Sequence, residues 1–149
     1  MPPSASVSRA TPSVHSATTG SGKGAGPSYR GSCDVFGVPD GQGIAMSADG
    51  SRHIGNWCGG MLSGWGAMLL PSGDKYMGEW NQGLAHGSGV LLSLGGTRYE
   101  GGWKNDAWHG YGIESNTAAG LLYCGSYLDG QRHGEGLLVE HSAERHCTY

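Results

Sequence analysis

Apolar and polar positions in residues 29–145 follow a pattern that repeats about every 23 residues. Each repeat opens on an aromatic residue or histidine, with glycine two positions later and, in four of the five repeats, an aromatic residue two positions after that. It then reaches a G-x-G followed by an aliphatic residue. The starts are Tyr29, His53, Tyr76, Tyr99 and Tyr123, spaced by 24, 23, 23 and 24 residues. Such a pattern predicts a protein built from similar small units.

One repeat shows which local structure the spacing predicts. Tyr76, Gly78 and Trp80 lie at i, i+2 and i+4, so they share one face of a strand. Residues 81–86 are rich in turn formers, and a second strand is predicted over residues 87–93 before the chain turns again. We therefore predict one β-hairpin per repeat, with glycines forming a flat floor for the Tyr or Trp ring of a neighbouring repeat.

Consecutive hairpins are expected to pair edge to edge, because an isolated hairpin is only marginally stable. The predicted fold is all-β, an elongated single-layer antiparallel sheet of ten strands, about 48 Å long at 4.8 Å per strand. Its open ends would allow pairing with a second copy of the chain. The predicted units are 29–52, 53–75, 76–98, 99–122 and 123–145. Residues 146–149 either cap the last hairpin or begin a further repeat of a longer array.

Residues 1–28 have a different composition from the repeats. They contain seven serines, four of the six prolines and no acidic residue. A segment of this kind cannot bury enough apolar surface to offset the entropy of ordering it, so we predict a disordered tail. A transit peptide is the alternative, and the prolines and glycines disfavour it because they interrupt the amphipathic helix that import requires.

Composition and charge exclude several classes of protein. Glycine accounts for 30 of 149 residues, which argues against a helical protein. No apolar run reaches the roughly 18–20 residues of a membrane-spanning helix. From residue 29 onward there are seven basic and twelve acidic residues, without a basic stripe. This balance is unfavourable for general binding of nucleic acid.

Cysteine and histidine spacings do not indicate a metal or catalytic site. The cysteines at positions 33, 58, 124 and 147 form no C-x-x-C pair, and we expect reduced thiols in the cytosol, with two disulfides in a secreted chain as the alternative. His86, His109 and His133 precede the G-x-G of their repeats, so equivalent positions would be about 9.5 Å apart, too far to share one metal ion. We predict no enzyme activity, no cofactor and no metal.

Two segments carry a resemblance to a known family. Residues 76–89, YMGEWNQGLAHGSG, resemble the MORN (membrane occupation and recognition nexus) repeat, and residues 123–136, YCGSYLDGQRHGEG, are similar to it nearly as closely. The other units depart from this pattern. Cys33 stands for Trp and Asp40 for His in the first unit, His53 for Tyr and Ser63 for His in the second, and Asp106 for Gly in the fourth.

The resemblance implies an extended single-layer sheet and a binding function. The family includes cytoskeletal and ciliary scaffolds, adaptors that grip a partner's helix or peptide in the concave groove of the sheet, and junctional membrane tethers. For this chain it implies a non-enzymatic scaffold or adaptor in the cytoplasm, on cytoskeletal or ciliary structures. Peripheral binding to phosphoinositide at the cytoplasmic face of a membrane is the alternative, and the acidic balance of residues 29–149 disfavours it.

We expect a protein partner, a helix or an extended peptide, to contact the aromatic side chains, because a one-layer sheet would leave one side of them partly uncovered. The candidates are Trp57, Trp65, Tyr76, Trp80, Tyr99, Trp103, Trp108, Tyr111, Tyr123 and Tyr127. Specificity is expected where the repeats differ, inside each G-x-G and after each lead residue. These positions are Gln42, Trp65, Ser88, Tyr111 and Glu135, and Arg30, Ile54, Met77, Glu100 and Cys124.

Overall fold

The computed structural model describes residues 27–140, which form one ten-stranded antiparallel sheet. The strands lie in the sheet in their order along the chain, so each pairs only with its sequence neighbours. They are β1 (Ser28–Cys33), β2 (Pro39–Met46), β3 (Arg52–Cys58), β4 (Met61–Leu69), β5 (Lys75–Asn81), β6 (Leu84–Leu92), β7 (Thr97–Lys104), β8 (Ala107–Asn116), β9 (Leu121–Leu128) and β10 (Gln131–Glu140). The predicted all-β single-layer sheet is confirmed. The predicted tail, apart from its last two residues, and the stump 146–149 lie outside the described residues.

Two-residue turns close the hairpins of the second to fifth repeats. In the β5–β6 hairpin, Gln82 and Gly83 have φ values of 50° and 79°, as a type I′ turn requires. The predicted turn over 81–86 is therefore wrong in its length, since β6 already begins at Leu84. Only two residues are needed because the I′ turn matches the twist of the paired strands. As a result His86 lies on a strand, and His109 and His133 lie on β8 and β10 in the same way.

One face of the sheet carries the core. The ring of Tyr76 lies over Gly78 and Gly89 of its own hairpin, where a Cβ on either glycine would overlap the tyrosine. Its hydroxyl donates a hydrogen bond to the carbonyl of Glu79 at 3.0 Å. Trp80 contacts Gly66 of the preceding hairpin instead. The structure thus shows the glycine floor but corrects its occupant, because in the tyrosine repeats it carries the tyrosine of the same hairpin, while the tryptophan of the next hairpin reaches it at Gly66.

Aromatic rings from successive hairpins interlock along this face. Trp103 packs edge-on against Tyr76, with 4.8 Å between ring centroids. Tyr127 meets Tyr99 of the preceding hairpin edge-on at 5.2 Å, whereas Trp108 stacks on Tyr99 within one hairpin at 4.1 Å. Contacts of this kind between neighbouring hairpins replace the closed core of an ordinary domain. We call the buried rings the aromatic ladder: Trp57, Tyr76, Trp80, Tyr99, Trp103, Trp108, Tyr123 and Tyr127.

Candidate partner-binding face

The structure divides the ten aromatic candidates between the two faces of the sheet. The eight ladder residues are at most 7% exposed. Trp65 and Tyr111 are 64% and 66% exposed and lie on the opposite face. The expectation of a partly uncovered ladder is therefore wrong. Its rings cover one another, and Leu62, Met68 and Ala85 complete a continuous buried layer.

The phenols of the ladder are fixed in a structural role. Burial, together with nearby carboxylates, raises the pKa of Tyr76, Tyr99 and Tyr127 far above the usual range. The hydroxyls therefore stay protonated and act as donors, as in the bond from Tyr99 to the carbonyl of Gly102 at 2.9 Å. Tyr127 donates to Glu114 at 2.9 Å. These hydroxyls already form hydrogen bonds within the fold, and a partner could reach them only by opening the sheet.

The opposite face is organised in rows, because residues paired across strands point to the same side. The middle row has one residue from each strand, and eight of its ten members are apolar or cysteine. It consists of Arg30, Ile44, Ile54, Ala67, Met77, Val90, Glu100, Ile113, Cys124 and Leu137. We call it the apolar row. Ile44, Ile54 and Met77 are 49%, 48% and 45% exposed, so this row is open to solvent.

Two further rows flank the apolar row. On one side, Arg52, Lys75 and Arg98 alternate with Leu69 and Leu92 across β3 to β7, and we call this the basic row. On the other side lies the polar row, in which Trp65 and Tyr111 are the two large side chains. Its paired members are Gln42 and Asn56, Trp65 and Glu79, Ser88 and Gly102, and Tyr111 and Ser126.

Two adjoining depressions follow these rows and share Met77. The larger has a volume of about 500 Å³ and includes Trp65, Val90, Glu100 and Tyr111 in its lining. The smaller, about 110 Å³, is lined by Arg52, Ile54, Ala67, Met68, Leu69, Lys75 and Met77. Together they form a trough across β3 to β8, which we call the groove. It brings Trp65 and Tyr111 together with the specificity candidates Ile54, Met77, Ser88 and Glu100, and separates them from the ladder.

The charges of the groove are unevenly placed. Arg98 forms an ion pair with Glu100, in which both side chains are about half exposed. On the polar row, the Glu79 carboxylate accepts a hydrogen bond from the backbone N–H of Ser88 at 3.1 Å. The expectation that the chain has no basic stripe is wrong here, because strand pairing brings three basic residues into the basic row. Its signal is a basic residue immediately before the lead residue in three consecutive repeats, at Arg52, Lys75 and Arg98.

Other chemistry in the described part of the chain is limited. Between residues 27 and 140, no group of three or more His, Cys, Asp or Glu side chains is placed to hold a metal ion. Cys33, Cys58 and Cys124 carry free thiols, and Cys147 lies outside the described residues. A helix long and apolar enough to span a membrane is absent from this same stretch.

Comparison with known families agrees with this architecture. The profile of the MORN repeat matches residues 35–52, 76–98, 99–116 and 123–139, slightly more than half of the chain. The protein belongs to the MORN-repeat family. The profile does not match the unit 53–75, although β3 and β4 form the same kind of hairpin there, and this unit has His53 and Ser63 in place of the MORN Tyr and His. No curated protein matches the chain significantly.

Proposed function

We propose that this MORN-repeat protein is a non-enzymatic scaffold or adaptor that binds a helical segment of a protein partner in the groove. The observation that carries the proposal is the apolar row, which runs across the whole sheet on the face that the core leaves open. Exposed apolar patches rimmed by polar residues are typical of protein-binding sites. The proposed partner site is therefore the groove, with Trp65 and Tyr111. The buried ladder supports the sheet from the other face.

The dimensions of the groove suit a helix. Neighbouring rows are two residues apart along each strand, so the basic and polar rows are separated by about 13 Å. An α-helix with its side chains is about 10–12 Å across. The exposed rings of Trp65 and Tyr111 lie on the polar-row side, and aromatic residues of this kind are enriched among the residues that dominate binding energy. A helix lying along the ribbon axis would contact one apolar-row residue from each strand.

The first test compares aromatic substitutions inside and outside the groove. We expect Trp65→Ala with Tyr111→Ala to weaken capture of a partner found by proximity labelling by at least about ten-fold, since each ring would lose contact area in the complex. Phe36→Ala is the matched control, because Phe36 is an exposed aromatic residue in the β1–β2 turn and outside the groove. Undiminished capture by the double variant, with a normal circular dichroism spectrum, would exclude the groove as the binding site.

We place this adaptor on cytoskeletal or ciliary structures in the cytoplasm, on the basis of the roles that the MORN family includes. In the source cell, a tagged chain that stays with the detergent-insoluble cytoskeleton would support this location.

A second candidate function, a peripheral tether at the cytoplasmic face of a membrane, is favoured by one observation. Arg52 and Lys75 lie beside exposed Ile54, an arrangement that suits anionic headgroups. Sedimentation with phosphoinositide vesicles at low salt distinguishes the two.

A further inference from the structure

We propose that the partner helix carries carboxylates about seven residues apart, which face Arg52, Lys75 and Arg98 of the basic row. This inference rests on the proposed function, because it assigns the chemistry of a ligand for the same groove. It identifies the partner as an amphipathic helix with an apolar face and one acidic flank. The orientation of that helix about its axis follows from the side of the groove on which the basic row lies.

The basic row has a fixed repeat in space. Arg52 pairs with Leu69, Leu69 with Lys75, Lys75 with Leu92, and Leu92 with Arg98. The basic residues are therefore each two strands apart, a distance of about 9.5 Å. The leucines between them continue the apolar surface, so the row presents a positive charge at every second strand.

An α-helix can match this repeat on one side. Two helical turns contain about seven residues and rise about 10.8 Å, close to the spacing of the basic residues. Residues at i and i+7 stay on the same side of the helix, whereas those at i and i+5 or i+6 do not. The apolar row offers one side chain per strand, about every 4.8 Å, and a helix presents an apolar residue about every 5.4 Å turn. The two periods differ by about 0.6 Å per step, so one helix keeps its apolar residues opposite three or four neighbouring strands before a mismatch of about 2–3 Å accumulates.

The cations of the basic row are available to a ligand. Among residues 27–140, Arg52 and Lys75 form no ion pair, and both are exposed. Arg98 is bonded to Glu100, which belongs to the apolar row, so a carboxylate from a partner would compete with Glu100. A partner carboxylate at each of the two unpaired cations would contribute steering and orientation as well as affinity.

The same face favours an acidic helix over an anionic membrane. Glu79 lies in the polar row and Glu100 in the apolar row, and residues 27–140 carry eleven acidic against six basic side chains. Such a surface repels a sheet of anionic headgroups but tolerates single carboxylates that are placed opposite individual cations. The groove is also a depression, which admits a cylinder more readily than a flat bilayer.

A display library of 21-residue amphipathic helices tests the inference on the full chain. The apolar stripe is kept constant, and flank positions seven residues apart are varied among Glu, Gln and Lys. We expect the wild-type protein to enrich Glu over Lys by about ten-fold, because each exposed ion pair contributes only weakly but up to three act together. Lys75→Glu should invert this preference at the flank position opposite residue 75.

Lys104→Glu is the matched control, because it makes the same change of charge at an exposed residue of β7 outside the basic row. It should keep the preference of the wild type.

Enrichment of helices by their apolar stripe alone, without a preference for flank charge, would overturn the charge inference. If that enrichment is lost in Trp65→Ala with Tyr111→Ala, the proposed function stands. Enrichment of no helix at all would overturn both. Sedimentation with phosphatidylinositol 4,5-bisphosphate vesicles that is lost in Lys75→Glu, without any helix preference, would overturn the inference in favour of lipid.

Discussion

His53 shows how a different residue at the lead position of a repeat is accommodated beside the ladder. It stands where the other repeats have tyrosine, it is 2% exposed, and neither ring nitrogen has a hydrogen-bond partner among the described residues. In the tyrosine repeats the ring covers the two glycines of its hairpin, but here Leu62 lies close to Gly55 and Gly66. The equivalent of Leu62 in the next repeat is Ala85. The pairs His53 with Leu62 and Tyr76 with Ala85 are therefore two ways of filling the same space.

Burial of His53 makes the stability of the protein depend on pH. Burial lowers the pKa of His53, and the nearby Asp49 opposes this only in part. The unfolded chain therefore takes up a proton near the ordinary pKa of about 6.5, while the folded protein resists protonation until a lower pH. The contribution of His53 to the free energy of unfolding is complete above this value. It falls as the pH decreases through 6.5, by at most about 1.4 kcal/mol per pH unit, until the folded pKa is reached.

We predict that His53→Tyr with Leu62→Ala removes this part of the pH dependence. The new tyrosine would occupy the place that Tyr76 has in its own repeat, and the smaller side chain at position 62 would leave it room. The free energy of unfolding, measured with denaturant between pH 8 and pH 5, should fall less steeply in the double variant than in the wild type. His53→Tyr alone is the control for packing, and it should be less stable than the double variant because the ring and Leu62 compete for one space. Parallel pH profiles for wild type and double variant would refute the assignment.

At the scale of the hairpin, Arg132 completes the ladder at its last repeat. It pairs with Tyr127 in the register in which Trp108 pairs with Trp103. Its guanidinium lies 4.7 Å from the centroid of the Tyr123 ring, as the ring of Trp108 lies on Tyr99. It is held there by two bonds to Glu114, of 3.0 and 2.8 Å. A flat cation thus replaces an indole where the structure describes no following hairpin to cover it.

We expect Arg132→Lys to lower the free energy of unfolding by about 1–2 kcal/mol, because lysine keeps the charge but loses the stacked plane and the second bond to Glu114. Arg98→Lys is the control, since Arg98 forms an exposed ion pair, and its replacement should change stability by less than about 0.5 kcal/mol. Chemical denaturation of both variants measures the difference. Equal effects would mean that the plane of Arg132 contributes nothing specific.

The hairpins were predictable from sequence. Which face is buried and which is open to a partner was only partly predictable. Strand positions follow from glycines and aromatics at fixed spacing, as in the unit beginning at Tyr76, but its turn at Gln82 and Gly83 is shorter than predicted. Side chains alternate between the two faces of a strand, so the position of Trp65 between Gly64 and Gly66 already indicated that it faces away from the ladder. The burial of the ladder depends on how closely successive hairpins approach, as between Tyr76 and Trp103, and no spacing within one repeat fixes that distance. The basic row required the register between strands, which the pattern of a single repeat does not give.

At the scale of the whole molecule, the sheet has no central core that all strands share. Each described strand is bonded only to its sequence neighbours, so stability is a sum over neighbouring contacts along the ribbon. Within residues 27–140, β1 and β10 pair on one side only, and every residue of β10 is exposed. The central strands β5 to β8 contain Tyr76, Tyr99 and Ala85, which are fully buried. Local opening should therefore require the least free energy at the ends of the ribbon.

We predict a gradient of amide hydrogen exchange along the ribbon. Amides in β5 to β8 should exchange slowest, and protection should fall stepwise through β3 and β9 to β1 and β10, because opening from an end breaks one inter-strand contact at a time. Exchange resolved by peptide or by residue in native buffer provides the measurement. Trp103→Phe, which shrinks a ring in the middle of the ladder, should reduce the protection of β5 to β8 more than that of β1. A uniform protection across all ten strands would instead mean that the repeats open as one cooperative unit, and that the groove is as rigid at its ends as at its centre.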